Sequence, residues 1–177
     1  MRNFIQMRKV IVVLLIVGTL PGSCFKKDIN TTTCDYDPCA VKAPANEITQ
    51  LETYLSGAGI TTAIKHCSGM YCQIITQGAD KTPTVCSYIS VYFRGSLANG
   101  KVFDSTVANT PYTNAPLALL ISGWQNGILL IKKGGKIRLY IPPSLGYGAK
   151  DKLDNSGAVT IPANSILIFD IELLDVQ

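Results

Sequence analysis

Trp124-Gln-Asn-Gly-Ile-Leu-Leu-Ile131, Lys132-Lys-Gly-Gly135 and Lys136-Ile-Arg-Leu-Tyr-Ile141 form the stretch whose reading decides the fold. Its first eight residues suit a short helix. Ile128 and Ile131, with Leu129 and Leu130 between them, make that helix apolar nearly all round. A helix without a polar side belongs inside a domain. Lys132 and Lys133 bring cations to its negative end, and the glycines after them supply a left-handed cap. The period then changes to two: Ile137, Leu139 and Ile141 face inward, and Lys136, Arg138 and Tyr140 face outward. Pro142-Pro143 ends the strand. A buried helix followed at once by a one-faced strand predicts a sheet wrapped on that helix.

The flanking segments extend this pattern. Residues 165–174 alternate in the same way, with Leu167, Phe169, Ile171 and Leu173 on one face. Residues 86–94 are β-branched and aromatic, as a strand requires. Ala98-Asn-Gly100 is a hairpin signal of type I′, and residues 101–104 form the return strand. Upstream, residues 61–65 and 71–76 read as strands about a turn at Ser68-Gly69. Residues 46–55 read as an amphipathic helix with Asn46 as N-cap; Ile48, Leu51 and Leu55 share its apolar stripe, and Gly57 and Gly59 end it. Residues 78–84, 106–116 and 146–161 read as loops. The expected fold class is α+β: a curved antiparallel β-sheet, a half-barrel, wrapped around one short helix, with a short N-terminal helical extension.

The N-terminus bears on location. Arg2, Arg8 and Lys9 precede an apolar run at residues 10–20, which is shorter than the ~20 residues a bilayer span needs. Gly22 and Ser23 are small residues placed for cleavage, and Cys24 follows at once. The segment resembles a bacterial lipoprotein signal over residues 1–23, with Cys24 lipidated; a plain secretory signal is the other reading. Residues 24–45 are expected to be a flexible tether, 46–84 an extension of helix and hairpin, and 85–177 the main domain. Taking Arg2, Arg8 and Lys9 from the 16 Lys+Arg leaves 13 against 12 Asp+Glu. No basic patch then argues for nucleic acid. Export permits disulfides among Cys34, Cys39, Cys67, Cys72 and Cys86. Cys34 with Cys39, Cys67 with Cys72, and Cys72 with Cys86 are the options. The odd number leaves at least one cysteine free or paired outside the chain. The only histidine is His66 and no C-x-x-C pair occurs, so neither zinc nor another metal is expected.

Five segments carry an aromatic or an acid, in four of them beside turn glycines. They are Val91-Tyr-Phe-Arg-Gly95, Gly100-Lys-Val-Phe-Asp-Ser105, Ser122-Gly-Trp-Gln-Asn-Gly127, Ile141-Pro-Pro-Ser-Leu-Gly-Tyr-Gly-Ala149 and Ser165-Ile-Leu-Ile-Phe-Asp-Ile-Glu-Leu-Leu174. In this order they closely resemble the FKBP family of peptidyl-prolyl cis/trans isomerases. The resemblance implies the same half-barrel, and it implies activity on X–Pro bonds without any cofactor. The partners implied are proline-containing polypeptides, met by a monomer tethered through Cys24 to a bacterial membrane, the outer membrane facing the periplasm.

By the resemblance, Trp124 is the floor under the proline ring, and Phe103 and Phe169 are walls. Asp104 faces the substrate carbonyl carbon. The Tyr147 hydroxyl and the Ile121 N–H donate to substrate carbonyls. Phe93, Leu117, Leu120 and Ile161 complete the substrate-binding set. Two residues depart from the family: Phe93 stands where Tyr is usual, and Leu117 where an aromatic wall is common. Rotation about an X–Pro bond breaks amide resonance against a barrier of ~20 kcal/mol. A dry pocket that holds the twisted amide better than either planar form needs no nucleophile. The competing readings are a non-catalytic module that holds proline-bearing segments, and a hydrolase. The hydrolase lacks a nucleophile elbow near His66.

Overall fold

The computed structural model describes residues 34–107 and 109–177. The signal at residues 1–23 and the lipidation at Cys24 lie outside the described residues. Within them the chain runs as α1 (Ala45–Gly57), β1 (Ile64–Lys65), β2 (Tyr71–Thr76), β3 (Tyr88–Leu97), β4 (Val102–Ser105), β5 (Tyr112–Pro116), α2 (Ser122–Ile128), β6 (Lys136–Ile141), β7 (Lys152–Leu153), β8 (Val159–Ile161) and β9 (Leu167–Val176). Seven strands form one antiparallel sheet in the order β1-β2-β6-β9-β3-β4, with β5 also on β3; β7 and β8 form a separate hairpin. The sheet is not closed, and the fold is α+β, as expected.

β6 and β9 follow the expected alternation on their inward face. Leu167, Phe169, Ile171 and Leu173 of β9 are buried, as are Ile137, Leu139 and Ile141 of β6. These side chains make the concave face, and α2 lies on it. The reason α2 fits so closely is its glycine pair. A Cβ at Gly123 would stand 2.5 Å from Ile141 Cδ1, and one at Gly127 would stand 2.5 Å from Leu139 Cδ1. Four residues apart, the two glycines share one face of a helix. Their bare Cα atoms let the backbone rest directly on β6.

Several expectations change. Tyr140 does not face solvent but is 1 % exposed, because the convex face of β6 is also covered. Leu51 and Leu55 of α1 pack there with Tyr140 and Ile166. The helix starts at Ala45 behind Pro44, so Asn46 is not its N-cap. Residues 112–116, read as loop, form β5 on the first half of β3, while β4 takes the second half. The loop at 146–161 contains the β7–β8 hairpin. At the Asn99-Gly100 turn only Gly100 has positive φ, 82°. The turn closes by Gly100 N–H donating to the Leu97 carbonyl, with Leu97 N–H donating to Lys101, so it is a wider loop than type I′.

None of the three disulfide options read from the sequence forms. Cys34 is bonded to Cys86 and Cys39 to Cys67, with Cα atoms 5.8 and 5.4 Å apart; Cys72 is buried and has no disulfide partner among the described residues. Residues 34–44, assigned by the sequence to a flexible tether, therefore form a strap fixed at two points, to the turn between β1 and β2 and to the turn before β3. His66 lies in the turn before β2, where Nδ1 meets Ser68 Oγ at 2.9 Å. No helix among the described residues is long and apolar enough to cross a membrane.

Candidate functional site

A cavity of about 530 Å³ opens between α2, the concave face of β3 and β9, and the segments either side of β4. That size suits a small ligand or a short piece of chain. Its floor is aromatic. Trp124 meets Phe93 edge to face at 5.3 Å and Phe169 at 5.2 Å; Phe103 meets Phe169 at 5.5 Å. Such T-shaped pairs place a positive ring edge on a negative face, which fixes orientation as well as burying area. Trp124 and Phe169 are only 5 % and 3 % exposed, so the floor is rigid. The Trp124 indole N–H is buried with no hydrogen-bond partner among the described residues.

Each wall has a local cause. Gly95 on β3 has no Cβ, and the rings of Phe103 and Phe169 occupy the space one would fill. Thr106 pins the neighbouring backbone: its hydroxyl accepts from Phe93 N–H at 3.1 Å, and its N–H donates to the Phe93 carbonyl at 3.0 Å. Ile121 precedes α2 with extended backbone (ψ 148°), and its carbonyl accepts from Trp124 and Gln125. Among the described residues no backbone carbonyl receives the Ile121 N–H. The Gln125 side chain donates to the carbonyls of Leu120 (2.7 Å) and Ala118 (3.0 Å), which holds this corner in place.

The polar groups sit at the rim. Asp104 leaves β4 exposed and lines the cavity beside Phe103. Tyr147 follows a 3-10 turn at Pro143–Leu145 and lines the same cavity. Burial, and secondly the negative charge of Asp104, push its hydroxyl pKa above the usual tyrosine value. The hydroxyl therefore stays protonated, a hydrogen-bond donor, at any ordinary pH. Lys152 Nζ lies 5.0 Å from the centre of the Tyr147 ring, a cation–π contact from the β7–β8 hairpin.

Eight of the ten side chains singled out in the sequence line this cavity: Phe93, Phe103, Asp104, Leu120, Ile121, Trp124, Tyr147 and Phe169. Leu117 and Ile161 do not. Leu117 is fully buried in the core and Ile161 is 5 % exposed in β8, also in the core. The wall expected at Leu117 is supplied by Tyr112, whose ring stands 6.4 Å from Phe93. Ser105, Thr106, Thr110 and Pro111 line the same side. Sequence reading passed over them as a polar loop; the one available signal was Tyr112, the sole aromatic among small residues there. No group of three His, Cys, Asp or Glu side chains converges among the described residues in a way that could hold a metal ion.

The model of the domain "FKBP-type peptidyl-prolyl cis-trans isomerase" matches residues 79–174. A curated relative from Buchnera aphidicola, named FKBP-type peptidyl-prolyl cis-trans isomerase FkpA, is 52% identical over 89 residues, covering 50% of this chain and 33% of its own. The crystal structure of FkpA from Escherichia coli superposes with a TM-score of 0.62 at 35% identity, over 75% of this chain and 60% of that one. A crystal structure of a peptidyl-prolyl cis-trans isomerase from Pseudomonas syringae gives 0.61 at 27% identity, over 77% and 98%. The chain spans less than half the length of the curated relatives it matches.

Proposed function

The chain belongs to the FKBP-type peptidyl-prolyl cis-trans isomerase family, and on that premise we propose that it isomerises X–Pro bonds in exported polypeptides. The observation that supports this most is the joining of an aromatic floor to two separate rim groups in one cavity: Trp124, Phe103 and Phe169 below, Asp104 and Tyr147 above. The proline ring sits on Trp124 between Phe103 and Phe169. Twisting the amide removes its resonance and much of its charge separation, so a dry aromatic surface favours the twisted form over both planar ones. Tyr147 O–H and Ile121 N–H hold the flanking carbonyls while the proline turns, which is catalysis by orientation. Asp104 sets the electrostatics at the carbonyl carbon. Lowering the barrier by about 5–7 kcal/mol would accelerate the reaction roughly 10⁴–10⁵-fold.

Residues 1–24 support a lipid anchor at Cys24 and a periplasm-facing position on a bacterial outer membrane. The two disulfides agree with an oxidising compartment. A second reading, a holdase for proline-bearing segments without turnover, is favoured by Phe93, which brings no hydroxyl to the cavity.

The test is cis-to-trans conversion of a short X–Pro–Phe peptide by the chain, by Asp104→Ala and by Tyr147→Phe. Loss of one donor is expected to lower kcat/KM about tenfold for Tyr147→Phe, and Asp104→Ala is expected to lower it further. Both residues are at the rim, so the urea midpoint should barely move. Folded wild-type protein with no rate above background would remove the enzyme and leave the holdase.

A further inference from the structure

Asn126 sits on α2, two positions after Trp124, and is 1 % exposed. Two positions are about 200° around a helix. Trp124 therefore faces the cavity while Asn126 faces away from it. A buried carboxamide needs a partner. Among the described residues its partner comes from far away in sequence: Tyr36 Oη donates to Asn126 Oδ1 at 2.6 Å, across 90 residues. Tyr36 is half-buried, and burial raises its pKa above the usual tyrosine value. It lies between Cys34 and Cys39, each cross-linked to the sheet-forming part of the chain.

The short helix has few other directional restraints. At seven residues it is too short to hold its own geometry. Its N-cap has no side-chain hydrogen bond. Its contact with β6 is made by the bare backbone of Gly123 and Gly127, which allows close approach and does not interlock. Gln125 ties its first turn to Leu120 and Ala118. The last turn, beneath the floor, is tied through Asn126.

We propose that Tyr36 is a positioning residue: held by the two disulfides, it fixes through Asn126 the angle at which α2 presents Trp124 to the cavity. In its bearing on turnover the proposal rests on the isomerase reading above; in its bearing on Trp124 it does not.

Because Trp124 is the chain's sole tryptophan, its emission and its quenching by acrylamide report the floor directly. The full chain is compared with Tyr36→Phe, Asn126→Ala, the double variant, and Tyr88→Phe as an exposed control. Tyr36→Phe is expected to shift Trp124 emission in the fully folded protein, and to lower kcat/KM about three- to tenfold. The double variant should do little more than Asn126→Ala alone. Tyr88→Phe should match wild type. A melting curve for each variant separates altered presentation from a shortage of folded protein. Wild-type emission and quenching in folded Tyr36→Phe would overturn the proposal, as would effects of Tyr36→Phe and Asn126→Ala that simply add. If wild type itself shows no turnover while Tyr36→Phe still moves the Trp124 signal, the positioning role stands and the isomerase reading fails.

Discussion

A methyl group at Gly95 would stand 2.6 Å from Phe103 Cζ and 2.8 Å from Phe169 Cε1. Carbon atoms in ordinary contact are ~3.5–4.0 Å apart, so in Gly95→Ala a ring must retreat by about 1 Å. Phe169 has no room, being 3 % exposed and packed against Trp124, Phe103 and Phe93. Phe103 is half-buried on the short edge strand β4, so it gives way. Overpacking of this kind costs about 1–3 kcal/mol. Alanine regains about 0.5–1 kcal/mol over glycine inside a strand, which leaves a net loss of roughly 0–2.5 kcal/mol. The site suffers more, because a 1 Å displacement of a positioning group can cost about 10²-fold in rate. The assay pairs urea unfolding with isomerisation of an X–Pro–Phe peptide. The expected result is a modest fall in the urea midpoint with a ten- to hundredfold fall in kcat/KM. A folded Gly95→Ala with wild-type kcat/KM would refute the argument that Phe103, seated on Gly95, sets the proline wall.

Burial raises the hydroxyl pKa of Tyr36, Tyr71, Tyr140 and Tyr147 in the folded chain. Their contribution to stability is whole below the unfolded value of about 10 and is lost as pH rises through the folded ones. Burial lowers His66, so its contribution is present above about pH 6.5 and is lost as pH falls. Tm is therefore expected to be flat from about pH 7 to 9 and to fall on both sides; a Tm still climbing above pH 10 would contradict this. Replacing Cys34 and Cys86 by serine opens a link spanning 52 residues and is expected to cost about 4 kcal/mol by urea unfolding. Phe93→Tyr offers Asp104 a donor and is expected to raise kcat/KM severalfold; no change would mean that the carboxylate needs no such partner.

The parts of this fold legible in the sequence are those whose own pattern agrees with their final surroundings. β6 and β9 alternate cleanly because one face of each meets the core, and the aromatic floor follows from them. β5 was not legible: Asn114, Ala115 and Pro116 have little strand preference, and the strand exists because β3 offers it an unpaired edge. With β5 missed, Tyr112 was missed as a wall and Leu117 was given its place. Tyr140 was misread since alternation tells one face from the other, not whether a helix covers the second. The disulfide pairing stayed open in the sequence, where nearness suggests short loops, whereas the links formed span 52 and 28 residues.

The place of β9 in the sheet has a kinetic consequence. Both of its neighbours, β6 and β3, are made before it, and every other strand of the sheet precedes it in the chain. The sheet therefore has no centre until residues 167–176 are available. β3, with its longest set of partners on β9, waits unpaired along that side. A chain built this way folds late, through contacts distant in sequence, and is slow for that reason. It commits to its native form only after its final strand has arrived.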